Sequence, residues 1–281
     1  MAQKAPTPEN LELSPASELD LEGLAKLFTA AYEGYPVPMH VDAGAIEFML
    51  EALDLIPERS RVASRAGERV GVVMLGVRQS RGWVGGMGVV TAARRTGVGM
   101  RLMRAIMDEA RAAGVRELFL EVLEQNASAR TLYERLGFRA LRRLEVWTYA
   151  GAPPIGGGRA QACDPRSARK RIQAARTAPE PWQRANETVD RLDVSTPALR
   201  AVTTSGGDAV YRVNDGRASV LQLVANSEAV AGVLLDTIRS REGVNVVRFL
   251  NLPSTDPAAA ALAGREAVCD AAQTEMSVQL A

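Results

Sequence analysis

The sequence predicts an α/β (α+β) protein, in which short strands form sheets that are flanked by helices. Three observations support this fold class. Strand-like runs separated by turn residues lie between residues 61 and 90; an apolar strand, a glycine-containing loop and an amphipathic helix follow, up to residue 113; and the same order of elements returns after residue 181. Turns at these intervals are typical of an antiparallel meander. We therefore expect two domains of related build.

The elements of the first half follow from the spacing of apolar residues. Helical spacing predicts helices at residues 21–33, 42–55 and 97–113, and a shorter one from Asn126 or Ser128 to Leu136. Apolar runs bounded by turn residues predict strands at residues 11–14, 61–65, 70–77, 83–90, 118–123 and 138–149. Gly85, Gly86 and Gly88 interrupt the fourth of these strands, which indicates a bulge or a close approach by another segment.

The second half repeats this order. Residues 151–180 are rich in Gly, Pro and Arg, and we interpret them as an inter-domain linker with at most one surface helix. The elements that follow are strands at residues 199–203, 208–213 and 218–224, a helix at 228–241, a strand at 245–252, a helix at 257–263 and a strand at 274–280. The predicted division is a domain at residues 1–150, the linker, and a second domain at 181–281.

Composition excludes several classes of function. The chain has 281 residues, a net charge of +1 and 47% hydrophobic residues, whereas general polyanion binders carry an excess of Lys and Arg. Cys163 and Cys269 lie far apart, without the spacing of a zinc or redox motif. The first thirty residues lack the apolar core of a signal peptide, and no apolar run approaches the roughly 18 residues of a membrane helix. We expect a cytoplasmic protein without a metal, a nucleic-acid partner or a membrane anchor.

The loop between residues 94 and 99 has the pattern R-x-x-G-x-G and begins a helix. Its glycines allow a ligand to approach the backbone closely. The first N–H groups of a helix have no partner within the helix, and the helix dipole adds about half a positive charge there. Arg94 or Arg95 can add a charge-assisted hydrogen bond. The loop is therefore suited to binding phosphate.

Three specific readings of this loop compete. A dinucleotide fingerprint needs a third glycine where Leu102 stands, and a Walker A loop needs a Gly-Lys-Ser/Thr ending that is missing. Taken alone, the six residues are also compatible with an ordinary helix that begins at a glycine.

The surrounding sequence resembles the GNAT family of N-acetyltransferases. The loop matches the family pattern at Arg94, Gly97 and Gly99, after the strand residue Val89, and Leu120-Glu121-Val122 also fits. The family's second motif, N-x-x-A/S-x-x-L-Y-x-x-x-G-F, is matched by Asn126, Ala129, Leu132, Tyr133, Gly137 and Phe138. The resemblance covers about residues 10–150, and both motifs stand in the family's order and spacing.

The resemblance implies a mixed, mostly antiparallel sheet that splays open between its fourth and fifth strands, with acetyl-CoA in the gap. The pyrophosphate would lie on the loop, and the pantetheine arm would pair with backbone near Val89. Asn126 would bind that arm or nearby backbone, although a plain helix cap explains it equally well. The cofactor-binding residues implied by the resemblance are Val89, Arg94, Arg95, Thr96, Gly97, Val98, Gly99, Met100 and Asn126.

The reaction implied by the resemblance is direct acetyl transfer to a primary amine. Tyr133 matches the tyrosine that often protonates the leaving thiolate, so it is the expected general acid. Glu121 is a candidate for the general base, and a structural hydrogen bond is the alternative role for its carboxylate. A backbone N–H between Met87 and Val89 could stabilise the oxyanion. His40, the single histidine, is a weaker candidate, because a lone histidine in a loop is usually only solvated.

The acceptor would be a small-molecule or peptide amine, and the resemblance implies that the segment at residues 34–40 closes over it. Tyr35 and Met39 would contact it. The second half resembles the family in element order but lacks the glycine loop, so we expect a degenerate GNAT-like domain that shapes the acceptor cleft or forms a homodimer face; an unrelated small α+β domain is the alternative. A non-catalytic acyl-CoA-binding or regulatory protein is the alternative to an enzyme.

Overall fold

The computed structural model describes residues 11–35, 40–152, 159–195 and 198–280. The chain forms two compact units. The first unit contains residues 1–141 and 275–281, and the second unit contains residues 142–274. Among the described residues, no helix is long and apolar enough to cross a membrane.

The described residues of the first unit form five complete strands, the ends of two more strands and four α-helices. The strands are β1 Leu11–Pro15, β2 Arg61–Arg65, β3 Glu68–Arg78, β4 Arg81–Val89 and β5 Glu117–Leu123. The helices are α1 Leu21–Ala31, α2 Ala43–Ala52, α3 Val98–Ala112 and α4 Ala127–Arg135. All were predicted to within a few residues. Asp20 and Asp42 cap α1 and α2 by accepting hydrogen bonds from the main chain three residues later.

The sheet of the first unit opens between β4 and β5, as the fold class predicted. Strands β1 to β4 are antiparallel, and β4 pairs with β3 along its whole length, apart from a bulge at Gly85. Strand β5 runs parallel to β4, but the two pair only from Arg81 and Glu117 to Trp83 and Phe119. Beyond Trp83 the two strands diverge, which leaves the inner edge of β4 without a partner in β5.

The second unit has the same order of elements as the first. Its ladder runs from β7 Gln161–Ala162 through β8 Arg200–Thr204, β9 Gly207–Asn214, β10 Arg217–Ala225 and β11 Val246–Pro253 to β6 Arg139–Ala150. The helices are α5 Pro165–Ala175, α6 Asn186–Ser195, α7 Glu228–Glu242 and α8 Pro257–Ala263. Strands β10 and β11 are parallel and pair only as far as Val220 and Phe249, so this sheet opens at the corresponding place.

The compact units differ from the predicted division of the chain. Helix α5 lies in the predicted linker, yet Ala168 and Ile172 are fully buried against strands of the second unit, because the helix has an apolar face. Strand β6 joins the second unit after residue 141, where Trp147 lies in its core. The last strand, β12 Val268–Gln279, enters the first unit at Glu275, and its Met276 lies in the first core. The hydrophobic partners of these strands, and not their order in sequence, decide which core they join.

Candidate functional site

A cavity of about 740 Å³ lies in the first unit where β4 and β5 diverge. Its walls come from the end of α1, strand β4, the loop before α3, strand β5 and helix α4. This volume is within the usual range for a small-molecule site. Both motifs found in the sequence therefore meet at one cavity. The charged residues of its walls are Arg94, Arg95, Arg135 and Glu121.

The loop before α3 presents backbone N–H groups that the helix does not use. Arg101 donates the first hydrogen bond of the helix, to the carbonyl of Gly97, so the N–H groups of the three residues before Arg101 precede the helical ladder. Gly97 caps the helix in the left-handed conformation, with φ of 88°, and supplies no side chain to satisfy these donors. Arg95 also has a left-handed φ, of 62°, which is uncommon for a residue with a side chain. The loop is thus shaped as an anion-binding helix start.

Arg94 holds the backbone around the cavity. Its Nε donates to the carbonyl oxygen of Val89 at 2.9 Å, and its terminal nitrogen donates to the carbonyl oxygens of Ala31 at 3.2 Å and Glu33 at 2.6 Å. These three bonds connect β4, the end of α1 and the loop. The guanidinium predicted to contact phosphate is therefore engaged with carbonyl groups, whereas Arg95 is exposed at the cavity.

The remaining predicted cofactor residues differ in whether their side chains face the cavity. Val89, Gly99 and Met100 line it. The side chain of Val98 is buried in the core of the first unit, so only its main chain is available to a ligand. The hydroxyl of Thr96 donates to the carbonyl of Ala93 at 2.8 Å and accepts from Arg65 at 3.2 Å, so the side chain serves the loop itself.

Asn126 both caps α4 and contacts the predicted acceptor segment. Its Oδ1 accepts from the N–H of Ala129 at 3.1 Å and from the hydroxyl of Ser128 at 3.0 Å. Its side chain also lies near the hydroxyl of Tyr35. Burial raises the pKa of Tyr35, and the nearby Asn126 side chain partly opposes that rise. Both Asn126 and Tyr35 line the cavity. Met39, the other predicted acceptor contact, lies outside the described residues, and His40 is exposed.

Tyr133 projects into the cavity from α4. Its ring packs against Phe138 with the centroids 5.9 Å apart, and only 6% of the residue is exposed. Burial, and then the nearby Tyr32 and Tyr35, raise the pKa of the Tyr133 hydroxyl well above its usual value. The hydroxyl therefore stays protonated at neutral pH and is available as a donor.

Glu121 lies on β5 just beyond the point where the two strands separate. It lines the cavity, and its Oε2 accepts a hydrogen bond of 2.8 Å from the indole Nε1 of Trp83 on β4. The structure therefore brings Glu121 and Tyr133 to the walls of the same cavity. It also shows a defined hydrogen bond to the carboxylate, which was the alternative interpretation of this residue.

Two residues of the site were missed by sequence reasoning. Tyr32 was counted only as an apolar residue of α1, yet it lines the cavity, and its hydroxyl lies near the main chain of Met87, in the region where an oxyanion donor was predicted. Burial, and then Tyr35, raise its pKa. Arg135 lines the cavity from the end of α4. The spacing Y-x-x-Y at the end of a helix was the available signal for Tyr32; no motif pointed to Arg135.

The corresponding gap of the second unit contains residues of its own chain. Trp182 and Arg184 are almost fully buried, and the guanidinium of Arg184 lies over the ring of Phe249 on β11, 5.6 Å from its centroid. Gln222 on β10 donates to the carbonyl of Arg184 at 2.9 Å. Arg176 donates to the carbonyl of Leu223 at 3.1 Å. The edge of β10 that would face a ligand is thus bound by the segment before α6.

In residues 11–35, 40–152, 159–195 and 198–280, no three His, Cys, Asp or Glu side chains come together as a metal site.

Comparison with known proteins gives a family match within the first unit. Residues 22–138 match the model of the Acetyltransferase (GNAT) family. A search of curated proteins gives no match. Among solved structures, the chain is similar to a GCN5-related N-acetyltransferase from Sphaerobacter thermophilus, with a TM-score of 0.76, 14% identity and coverage of 97% of this chain and 96% of the other.

Two further structures extend the similarity over both units. A tandem GNAT protein from the clavulanic acid biosynthesis pathway has a TM-score of 0.64 and 15% identity, over 97% of this chain and 99% of the other. A GCN5-related N-acetyltransferase from Kribbella flavida has a TM-score of 0.59 and 18% identity, over 96% of this chain and 71% of the other. At these identities the likeness concerns the fold, which is that of two GNAT-like domains in tandem. The second domain lacks the glycine loop.

Proposed function

We propose that this chain is a member of the GNAT family and transfers an acetyl group from acetyl-CoA to a primary amine of a small molecule or peptide. The observation that carries the proposal is the meeting of the loop, Glu121 and Tyr133 at one cavity. A phosphate-binding helix start at one wall and a proton donor and acceptor at the others are what this reaction requires.

The chain's own groups fit acetyl-CoA. The N–H groups at the start of α3 and the exposed Arg95 would bind the pyrophosphate, because both provide positive charge to an anion. The inner edge of β4 beyond Trp83 has no partner in β5, so it can pair with the pantetheine arm as with an added strand. Arg94 would act on this site indirectly, by holding Val89 and the end of α1 in place. When bound, acetyl-CoA supplies the activated thioester.

Glu121 and Tyr133 would handle the two protons of the reaction. The amine must lose a proton before it attacks, and the carboxylate of Glu121 would accept that proton. The departing thiolate needs a proton, which Oη of Tyr133 would donate. Because burial raises its pKa, Tyr133 carries this proton throughout the neutral range. The main chain near Met87, or the nearby Tyr32 hydroxyl, would stabilise the negative charge that develops on the carbonyl oxygen.

The aromatic wall formed by Tyr32 and Tyr35 supports an acceptor with an apolar body next to its amine. The two rings meet edge to face, with their centroids 5.1 Å apart, and both line the cavity. Such rings contribute apolar surface and attract cations over their faces. An ammonium group that approaches Glu121 would meet both features.

A binding and turnover experiment tests the proposal. Calorimetry should show one acetyl-CoA bound per chain, and a panel of amines should reveal acetyl transfer by release of free CoA thiol. Tyr133→Phe should keep the binding and lower kcat by roughly 10²- to 10⁴-fold, since general acid catalysis contributes about this much. Tight binding without transfer to any amine would instead favour an acyl-CoA-binding or regulatory protein, and absence of binding would refute the assignment of the loop.

A further inference from the structure

One side chain outside the two motifs contacts the candidate base directly. Trp83 is the last residue of β4 that pairs with β5, so it lies at the point where the sheet opens. Its indole Nε1 donates to Oε2 of Glu121 at 2.8 Å. The bond spans the two diverging strands at the closed end of the gap. A substitution of Trp83 that removes its N–H therefore removes a hydrogen bond from the Glu121 carboxylate.

The position of the indole ring is determined by the packing around it. Only 4% of Trp83 is exposed. The bulge residue Gly85 leaves the space that the ring occupies, because a Cβ at this position would lie 2.7 Å from Cζ3 of Trp83. The bulge that was predicted from three glycines thus has a second effect, which is to admit a large ring beside β4. A ring held in this way has one orientation in which to donate its N–H.

We propose that Trp83 is a positioning residue, whose indole N–H orients the Glu121 carboxylate toward the acceptor and keeps it ionised. This rests on the proposed function of the same cavity. A hydrogen bond to the charged form of an acid favours that form. The cavity that Glu121 lines also contains the titratable or charged groups of Tyr32 and Tyr35 after α1, Arg94 and Arg95 in the loop, and Tyr133 and Arg135 on α4. On the strands beside β5, Arg81 lies on β4 and Glu275 lies on β12.

The second unit contains a matched control for this contact. The indole Nε1 of Trp147 donates to Oε2 of Glu145 at 2.7 Å, and both residues are buried. The pair has the same indole–carboxylate hydrogen bond as Trp83 and Glu121, while the other oxygen of Glu145 accepts from Arg143. It belongs to the unit in which the gap is filled. Replacing each tryptophan by phenylalanine removes the same kind of N–H donor in the two places.

Nuclear magnetic resonance tests the contact in protein that retains Trp83. The chain has three tryptophans, so its ¹H–¹⁵N spectrum contains three indole signals, which single Trp→Phe variants assign. The Trp83 signal should move as the pH is lowered, and Glu121→Gln should abolish that movement while the protein stays folded. Glu145→Gln should leave the Trp83 titration intact. A Trp83 signal that is indifferent to both the pH and Glu121→Gln would overturn the proposal.

Kinetics test the consequence of the contact. With one acceptor throughout, Trp83→Phe should lower kcat about ten-fold at neutral pH, because hydrogen bonds to charged groups contribute about this much. Loss of the donor raises the pKa of the carboxyl, so the acid limb of the rate profile should move up by about one pH unit. KM for acetyl-CoA should change little. Trp147→Phe should leave the profile unchanged.

The outcomes separate this proposal from the proposed function. If Trp83→Phe lowers activity but leaves the acid limb of the pH–rate profile in place, Trp83 has only a structural role, and the proposal is wrong. Failure of the wild-type protein to transfer acetyl groups to any amine would refute the proposed function, while the resonance experiment would still decide whether Trp83 controls the ionisation of Glu121.

Discussion

The two units share one sheet plan and differ in what lies where the parallel strands separate. In the first unit, the strands part after Trp83 and leave a cavity of about 740 Å³. In the second, they part after Val220, and the buried side chains of Trp182 and Arg184 lie in that region. The backbone plan therefore creates an opening in both units, and the side chains decide whether a ligand can enter.

The helices that begin beside the two openings show the same contrast. Helix α3 begins at Gly97, which provides no side-chain acceptor for the first N–H groups. Helix α7 begins at Ser227, whose hydroxyl accepts from the N–H of Val230 at 3.3 Å. A helix whose first donors are satisfied internally offers less to an anion than one whose donors remain available. The second unit thus differs from the first both at its opening and at the start of the helix beside that opening.

The variant Trp182→Ala tests whether the filled opening or the capped start of α7 excludes a ligand from the second unit. Removal of this buried ring should lower the free energy of unfolding by about 3–5 kcal/mol, measured by urea denaturation. Acetyl-CoA binding should stay at one molecule per chain, because α7 still lacks the glycine loop. Binding of a second molecule would show that the filling side chains alone distinguish the units.

Met276→Ala tests whether the end of the chain completes the unit that holds the cavity. Met276 is fully buried in the core of the first unit, so its truncation should cost about 2–5 kcal/mol of unfolding free energy. Val268→Ala, in the same strand but 60% exposed, should cost less than about 0.5 kcal/mol. Equal costs for the two variants would contradict the assignment of this strand end to the first core.

Gly97→Val addresses the helix start itself. Valine is strained at a φ of 88°, by roughly 1–2 kcal/mol, and it can relieve the strain only by distorting the loop. Acetyl-CoA should bind about 10- to 100-fold more weakly by calorimetry. The matched control is Gly243→Val at the end of α7, where φ is 60° and a Cβ would also meet open space. Gly243→Val should lose similar stability and keep its affinity for acetyl-CoA. Equal losses of affinity in both variants would show that the effect comes from lower stability and not from the helix start of α3.

Much of the fold was predictable because it depends on local patterns. Glycine spacing predicted the bulge at Gly85, and apolar periodicity predicted the position of α3. The same patterns predicted that the order of elements returns in the second half. The membership of strands in a core was not predictable. Trp147 and Met276 each join the unit that offers a complementary apolar surface, and this choice depends on contacts between residues far apart in sequence.

The sequence by itself determined the family, the glycine loop and the candidates Tyr133 and Glu121, because these lie in motifs whose spacing is read along the chain. Only the tertiary structure decided how the side chains are used. It engages Arg94 with three carbonyl groups, places Tyr32 at the main chain of Met87, and sets the indole of Trp83 against Glu121. Hydrogen bonds between distant residues leave no periodic signal, so they become visible only when the strands and helices have been packed together.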